Sequence, residues 1–155
     1  MNIQAILDAT ALIAGGTLLR PGVYKGAGGI AGVKIAYSLP PEQNDLSEDG
    51  PAHVSFWDGM EVGEGAGDLT VYRHRIRMQL MLAIGRSNTP KAYSLLTPFV
   101  PLYRDAFAAR LKLNSTCAVS NLVSSPGIVE AIYPDRLALE LVLTATEKEA
   151  VTYSP

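Results

Sequence analysis

The sequence contains one cysteine, Cys117, and only two histidines, His53 and His74. A single cysteine excludes an intrachain disulfide and any multi-cysteine metal site, and it fits a reducing compartment. No stretch reaches the ~18 apolar residues that a membrane-spanning helix needs. The opening "MNIQAILDATALIAGG" lacks a basic leader and is interrupted by Asp8, so it reads as an amphipathic element and not a secretory signal. The chain therefore reads as soluble and cytoplasmic, and the lone sequon at Asn114 carries no weight for secretion. The histidines form no ligand pair such as HxxxH, and no GKS or GKT phosphate loop occurs.

Positive charge is missing from one long segment. Between Lys34 and Arg73 there is no lysine or arginine, while Glu42, Asp45, Glu48, Asp49, Asp58, Glu61, Glu64 and Asp68 all lie there. With a net charge of −2, that segment carries −8 and the remainder +6. The overall balance gives no signature of nucleic-acid binding. The asymmetry suits a protein that meets charged neighbours, although pairing within the chain would absorb part of it.

What the chain does have is a core. At 155 residues and 48% hydrophobic residues it is the size of one globular domain, 1–155. Its clearest element is "TVYRHRIRMQLMLAIG", Thr70 to Gly85. Tyr72, His74, Ile76, Met78, Leu80 and Leu82 fall on one side of a strand; Val71, Arg73, Arg75, Arg77, Gln79 and Met81 fall on the other. "AHVSFWDG" before it reads as a second strand, and "EVGEGAGD" as a Gly-rich turn of about ten residues closing an extended hairpin.

Ile3, Ile6, Leu7, Thr10 and Ile13 recur at helical spacing behind an Asn2 cap, and Gly15–Gly16 end the helix. "LLRPGVYKGAGGIAG" reads as irregular, and "GVKIAYSLPP" as a strand ended by Pro40 and Pro41. An exposed, mobile acidic loop over 40–50 follows. Thr89 and Pro90 predict a helix start. Pro98 and Pro101 then break or kink it near Thr97, which can cap a second helix with a stripe of Leu102, Ala106, Ala109 and Leu113 near Phe107. Two or three closing strands end in one where Leu137, Leu139, Leu141 and Leu143 alternate with Ala138, Glu140, Val142 and Thr144. A polar tail is expected over 147–155. Together these predict an α+β fold: an antiparallel or mixed sheet of about four to six strands with an N-terminal helix and a central helix pair packed on it.

Little of the chemistry points to catalysis. "GAGGIAG" matches Gly-x-Gly-x-x-Ala, but a dinucleotide site needs a strand before it and a helix after it, and a strand follows here. A nucleophile would have to be Cys117 or a serine brought to His53 or His74 by the fold. The acidic loop lacks the D-x-D-x-D-G spacing of a calcium site. The three arginines remain. Side chains two apart on a strand stand ~7 Å apart on one face, and guanidinium groups stay charged. Arg73, Arg75 and Arg77 therefore require water, carboxylates or phosphates. A solvated face paired with Glu140, Glu61, Glu64 or Asp68, a protein–protein surface and a nucleic-acid contact all remain open.

In their order, "MNIQAILDATALI", "IAYSLPP", "HVSF", "YRHRIRMQLMLAI", "NTPKAYSLLTPFVPLYRDAF" and "CAVSNLV…GIVEAIYPDRLALELVLT" make the chain resemble the tail terminator (tail completion) proteins of long-tailed bacteriophages. The resemblance covers nearly the whole chain. It implies a non-enzymatic virion protein without cofactor or metal, made in the host cytoplasm and placed at the head-proximal end of the tail. Six copies would form a ring that stops growth of the tail tube, meets the tail tube protein on one side and the head completion (connector) protein on the other. DNA would pass through its lumen without sequence-specific binding, and no membrane is involved. Another head–tail connector or minor tail protein, or a small ligand-binding or catalytic α+β domain, is the alternative. In such a ring each subunit shows two different surfaces, so Arg73, Arg75 and Arg77 of one copy would meet acids such as Glu61, Glu64 and Asp68 of the next.

Overall fold

The computed structural model describes residues 1–43, 46, 50–83 and 88–150. Helix α1 spans Ile3–Gly15, and strands β1 (Leu18–Arg20), β2 (Val23–Tyr24) and β3 (Ile35–Tyr37) follow. The long strands β4 (Ala52–Glu64) and β5 (Leu69–Leu82) precede helices α2 (Thr89–Leu96) and α3 (Phe99–Ala108). Strands β6 (Val119–Glu130) and β7 (Leu137–Ala150) close the chain. The seven strands form one mixed sheet in the order β1-β2-β3-β4-β5-β7-β6. Among the described residues only the β3–β4 pair is parallel.

The fold is thus α+β, with more strands than four to six. The additional ones come from the stretch expected to be irregular: Leu18 pairs with Tyr24 and Arg20 with Val23 across a tight Pro21–Gly22 turn. The hairpin turn is also shorter than the glycines imply. β4 continues to Glu64, leaving only Gly65 to Asp68 as the connection. At the other end β7 takes in Glu147 to Ala150, so that part of the expected tail is strand, opposite Tyr72 to Leu69. Residues 151–155 lie outside the described residues.

Period-two alternation sorts the two faces as the β5 pattern predicts. Ile76, Met78, Leu80 and Leu82 join Leu139, Leu141 and Leu143 beneath the helices, where Ile6, Ile13, Leu96, Tyr103 and Phe107 complete the main core. A smaller cluster on the other face gathers Val54, Met81, Ala138, Ile35, Tyr37 and Leu46. Leu46 is buried in this cluster, whereas Asn44, Asp45 and Ser47 to Asp49 lie outside the described residues.

The helices show how local chemistry competes. Asn2 caps α1, accepting from the Ala5 amide at 3.0 Å. The glycine loop wraps the other end of α1, where the Gly26 and Ile30 amides donate to Gly15 and Ala14 carbonyls at 3.0 Å. A Cβ on Gly29 would stand 2.6 Å from the Ala14 carbonyl oxygen, so the close approach requires glycine. These amides finish a helix C-terminus and are not displayed to a phosphate. α2 starts one residue earlier than Thr89 implies, with Asn88 as its N-cap. The chain does break at Thr97–Pro98, but Thr97 does not cap α3. Its hydroxyl donates back to the Tyr93 carbonyl at 2.8 Å. The buried stripe of α3 also lies elsewhere: Tyr103 and Phe107 are buried, with Leu113 beyond them, while Leu102 is 41% exposed and Ala109 lies outside the core.

Candidate functional site: the arginine row

Arg73, Arg75 and Arg77 stand on the sheet face away from the helices, in the pattern their spacing demands. They are not equivalent. Arg77 Nε donates to Glu140 Oε1 at 2.9 Å, and its guanidinium lies 4.9 Å over the Phe56 ring. The same carboxylate oxygen accepts from Gln79 Nε2 at 2.9 Å, and Gln79 Oε1 accepts the Ile132 amide at 2.9 Å. Glu140 and Gln79 are buried. The inner end of the row is therefore an internal clamp joining β5, β7 and the β6–β7 turn.

Arg75 is exposed and donates through Nε to Asp58 at 3.0 Å. The route to that pair is a bulge. Phe56 pairs with Arg77, and continuing two residues brings Asp58 to Arg75. Gly59, at φ 93°, is then the extra residue, and Met60 pairs with His74. Without this insertion Met60 would face the arginines. With it, Glu61 stands opposite Arg73 on their face. Among the described residues Arg73 nevertheless makes no ion pair and stays exposed, lining a shallow cleft with Glu61, Asp58, Gly59, Arg75 and Thr144.

Of the acidic candidates, Glu140 and Glu61 share the arginine face. Glu64 pairs with Thr70 and so points to the opposite face, and Asp68 lies in the turn. Asp58, absent from the sequence candidates, is the missed partner. Its signal was the hairpin register itself, hidden by treating residues after Gly59 as loop.

The histidines are both fully buried. His53 Nδ1 lies 2.6 Å from the Tyr103 hydroxyl and its Nε2 2.6 Å from Ser55 Oγ. Ser55 in turn lies 2.7 Å from Thr10 Oγ1, which donates to the Leu7 carbonyl at 2.8 Å. A carbonyl only accepts, so Thr10 spends its hydrogen there and Ser55 donates to Thr10. His53 then donates to Ser55 through Nε2 and accepts from Tyr103 through Nδ1. This direction is the reverse of nucleophile activation, because the imidazole N–H donates to the serine oxygen instead of accepting its hydrogen. Burial pushes the His53 pKa down to about 3 and holds the Tyr103 phenol well above its ordinary value.

His74 accepts from the Trp57 indole N–H at 3.2 Å through Nδ1, so its Nε2 carries the hydrogen and donates to Glu147 at 3.0 Å. Glu147 also stands beside Cys117. Burial, with the Glu147 charge adding to it, pushes that thiol up to about 11. His74 and Cys117 thus share a carboxylate that disfavours thiolate. Among the described residues no group of three or more metal-ligating side chains comes together, and no helix is long and apolar enough to cross a membrane.

Compared with known proteins, the chain matches no family model and no curated protein.

Proposed function

We propose that the chain is a tail terminator: a structural subunit whose six-membered ring caps the head-proximal end of a long phage tail, stops tube growth and offers the surface for head joining. The observation that carries this reading is the order of elements. After the N-terminal helix come three short strands, of which β3 is the one in the resembling segments, and then one long hairpin, a helix pair and two closing strands in the order of those segments. Neighbouring copies meet through the outer part of the arginine row, where Arg73 makes no ion pair among the described residues, and DNA slides through the lumen without sequence readout. Two unlike surfaces per subunit are what a closed head-to-tail ring requires.

A catalytic α+β domain is the less supported reading, since the Ser–His contact found among the described residues is fully buried and has the histidine as its donor. Negative-stain images of the concentrated protein test the proposal. Rings with an open centre are expected; two-fold particles or filaments would overturn it.

A further inference from the structure

On its outer side β4 pairs with β3 only as far as Val54. From Trp57 to Glu64 its inner side is held by β5, while no described residue pairs with the outer side. A free strand edge of this length presents a row of N–H and C=O groups ready for another strand. The bulge at Gly59 brings Trp57, Met60 and Val62 onto the helix-side face of that edge, opposite Ile76, His74 and Tyr72. All three are open to solvent, at 41%, 40% and 62%. Single exposed apolar residues are ordinary, but three in line along an unpaired edge are not.

The edge is charged with one sign only. Glu61 and Glu64 lie on it beside Asp58, which Arg75 already pairs, and Asp68 follows in the turn, with no lysine or arginine between Lys34 and Arg73. Edges guarded against all comers carry lysine, proline or inward charges. Here the guard is acidic, so it repels a second β4 edge yet attracts a cationic strand. We propose that Trp57–Glu64 accepts an extended segment of a partner polypeptide, apolar at alternate positions and carrying lysine or arginine between them. Main-chain hydrogen bonds would hold the segment. Its apolar side chains would cover Trp57, Met60 and Val62, and its cations would face Glu61. Arg73 is one strand further away, ~10 Å from the added strand, about a Debye length at ordinary salt.

The described edges of this chain do not supply such a segment. β6 carries no lysine or arginine from Val119 to Val129 and contains Pro126, and β1 is only three residues long. The end of β7 beyond Thr146 sets glutamates on both sides of Lys148, so the occupant we assign is a different polypeptide, and the assignment does not depend on the ring.

Trp57 is the only tryptophan, so its emission reports on the edge directly. The full chain is titrated with a synthetic octapeptide of alternating valine and lysine, and separately with its valine–glutamate counterpart. The expected result is a saturable blue shift with the lysine peptide and at least tenfold weaker binding of the glutamate peptide. The M60K/V62K variant, altered only at exposed positions, should keep its melting temperature and lose the response. No shift with either peptide, or equal shifts with both, overturns the proposal. A shift that appears on raising protein concentration alone also overturns it, by assigning the edge to a second copy.

Discussion

Arg77 and Glu140, on adjacent strands, are joined twice through one carboxylate oxygen, by Nε at 2.9 Å and by Nη2 at 2.5 Å. That contact divides the arginine row into an inner member belonging to the fold and outer members facing the surroundings. Arg77→Ala strands a buried carboxylate and removes the cover over Phe56. Breaking a fully buried pair costs about 3–5 kcal/mol, and the partial exposure of Arg77 lowers the expected loss to about 2–3 kcal/mol. Urea denaturation measures it. A change below about 0.5 kcal/mol would show that Glu140 finds equivalent donors elsewhere.

Arg73→Glu is the opposite case. Its side chain is exposed and makes no ion pair among the described residues, but the new carboxylate stands opposite Glu61, so stability should fall by no more than about 1 kcal/mol. Ring formation should weaken, because the charge offered to the neighbouring copy is reversed. Sedimentation of wild type and variant across the same concentrations decides this. Identical assembly would remove Arg73 from the subunit interface. A triple Arg→Gln variant is less informative, since it also breaks the Arg77 clamp.

The buried His53 predicts an acid-sensitive stability with a definite sign. Its folded-state pKa lies near 3, below the ordinary 6.5, because burial disfavours the cation. Below pH 6.5 the unfolded chain takes up a proton that the folded chain refuses. Stability from this group is therefore complete above that pH and falls toward pH 3, by up to about 1.4 kcal/mol per pH unit. Comparing urea midpoints of wild type and His53→Asn between pH 7.5 and 5 isolates the contribution. The variant should be less stable overall and shallower in its pH dependence; parallel slopes would contradict the one-way Tyr103–His53–Ser55–Thr10 chain.

Cys117 should be a sluggish thiol. With its pKa raised to about 11, little thiolate exists at pH 8, and its half-buried position slows attack further. Labelling by a thiol-specific disulfide reagent should be much slower in the native protein than in urea. Glu147→Gln, which removes the adjacent negative charge, should accelerate it. Equal native and denatured rates would show the thiol to be open.

Much of this was legible in the residues, and the failures have physical causes. The alternation in β5 located the core face and the arginine face because period two survives over fourteen residues. Asn2 and Gly16 marked the ends of α1 by their own capping chemistry. The hairpin was legible but its register was not. Glycines at 59, 63 and 65 resemble a loop, and only cross-strand pairing shows that Gly59 is a bulge inside a strand. The Asp58–Arg75 pair and the free β4 edge were hidden for that reason. The buried Thr10–Ser55–His53–Tyr103 chain joins α1, β4 and α3, and no local pattern reveals contacts across that much sequence. β1 and β2 were missed because strands of three and two residues carry too few positions to show a period.

The ring itself is the central claim, and native mass across a concentration series tests it most directly. The account predicts a dominant species of six 16.5 kDa subunits that grows with concentration and stops at six. A strict monomer at every concentration, or a closed dimer, would contradict it.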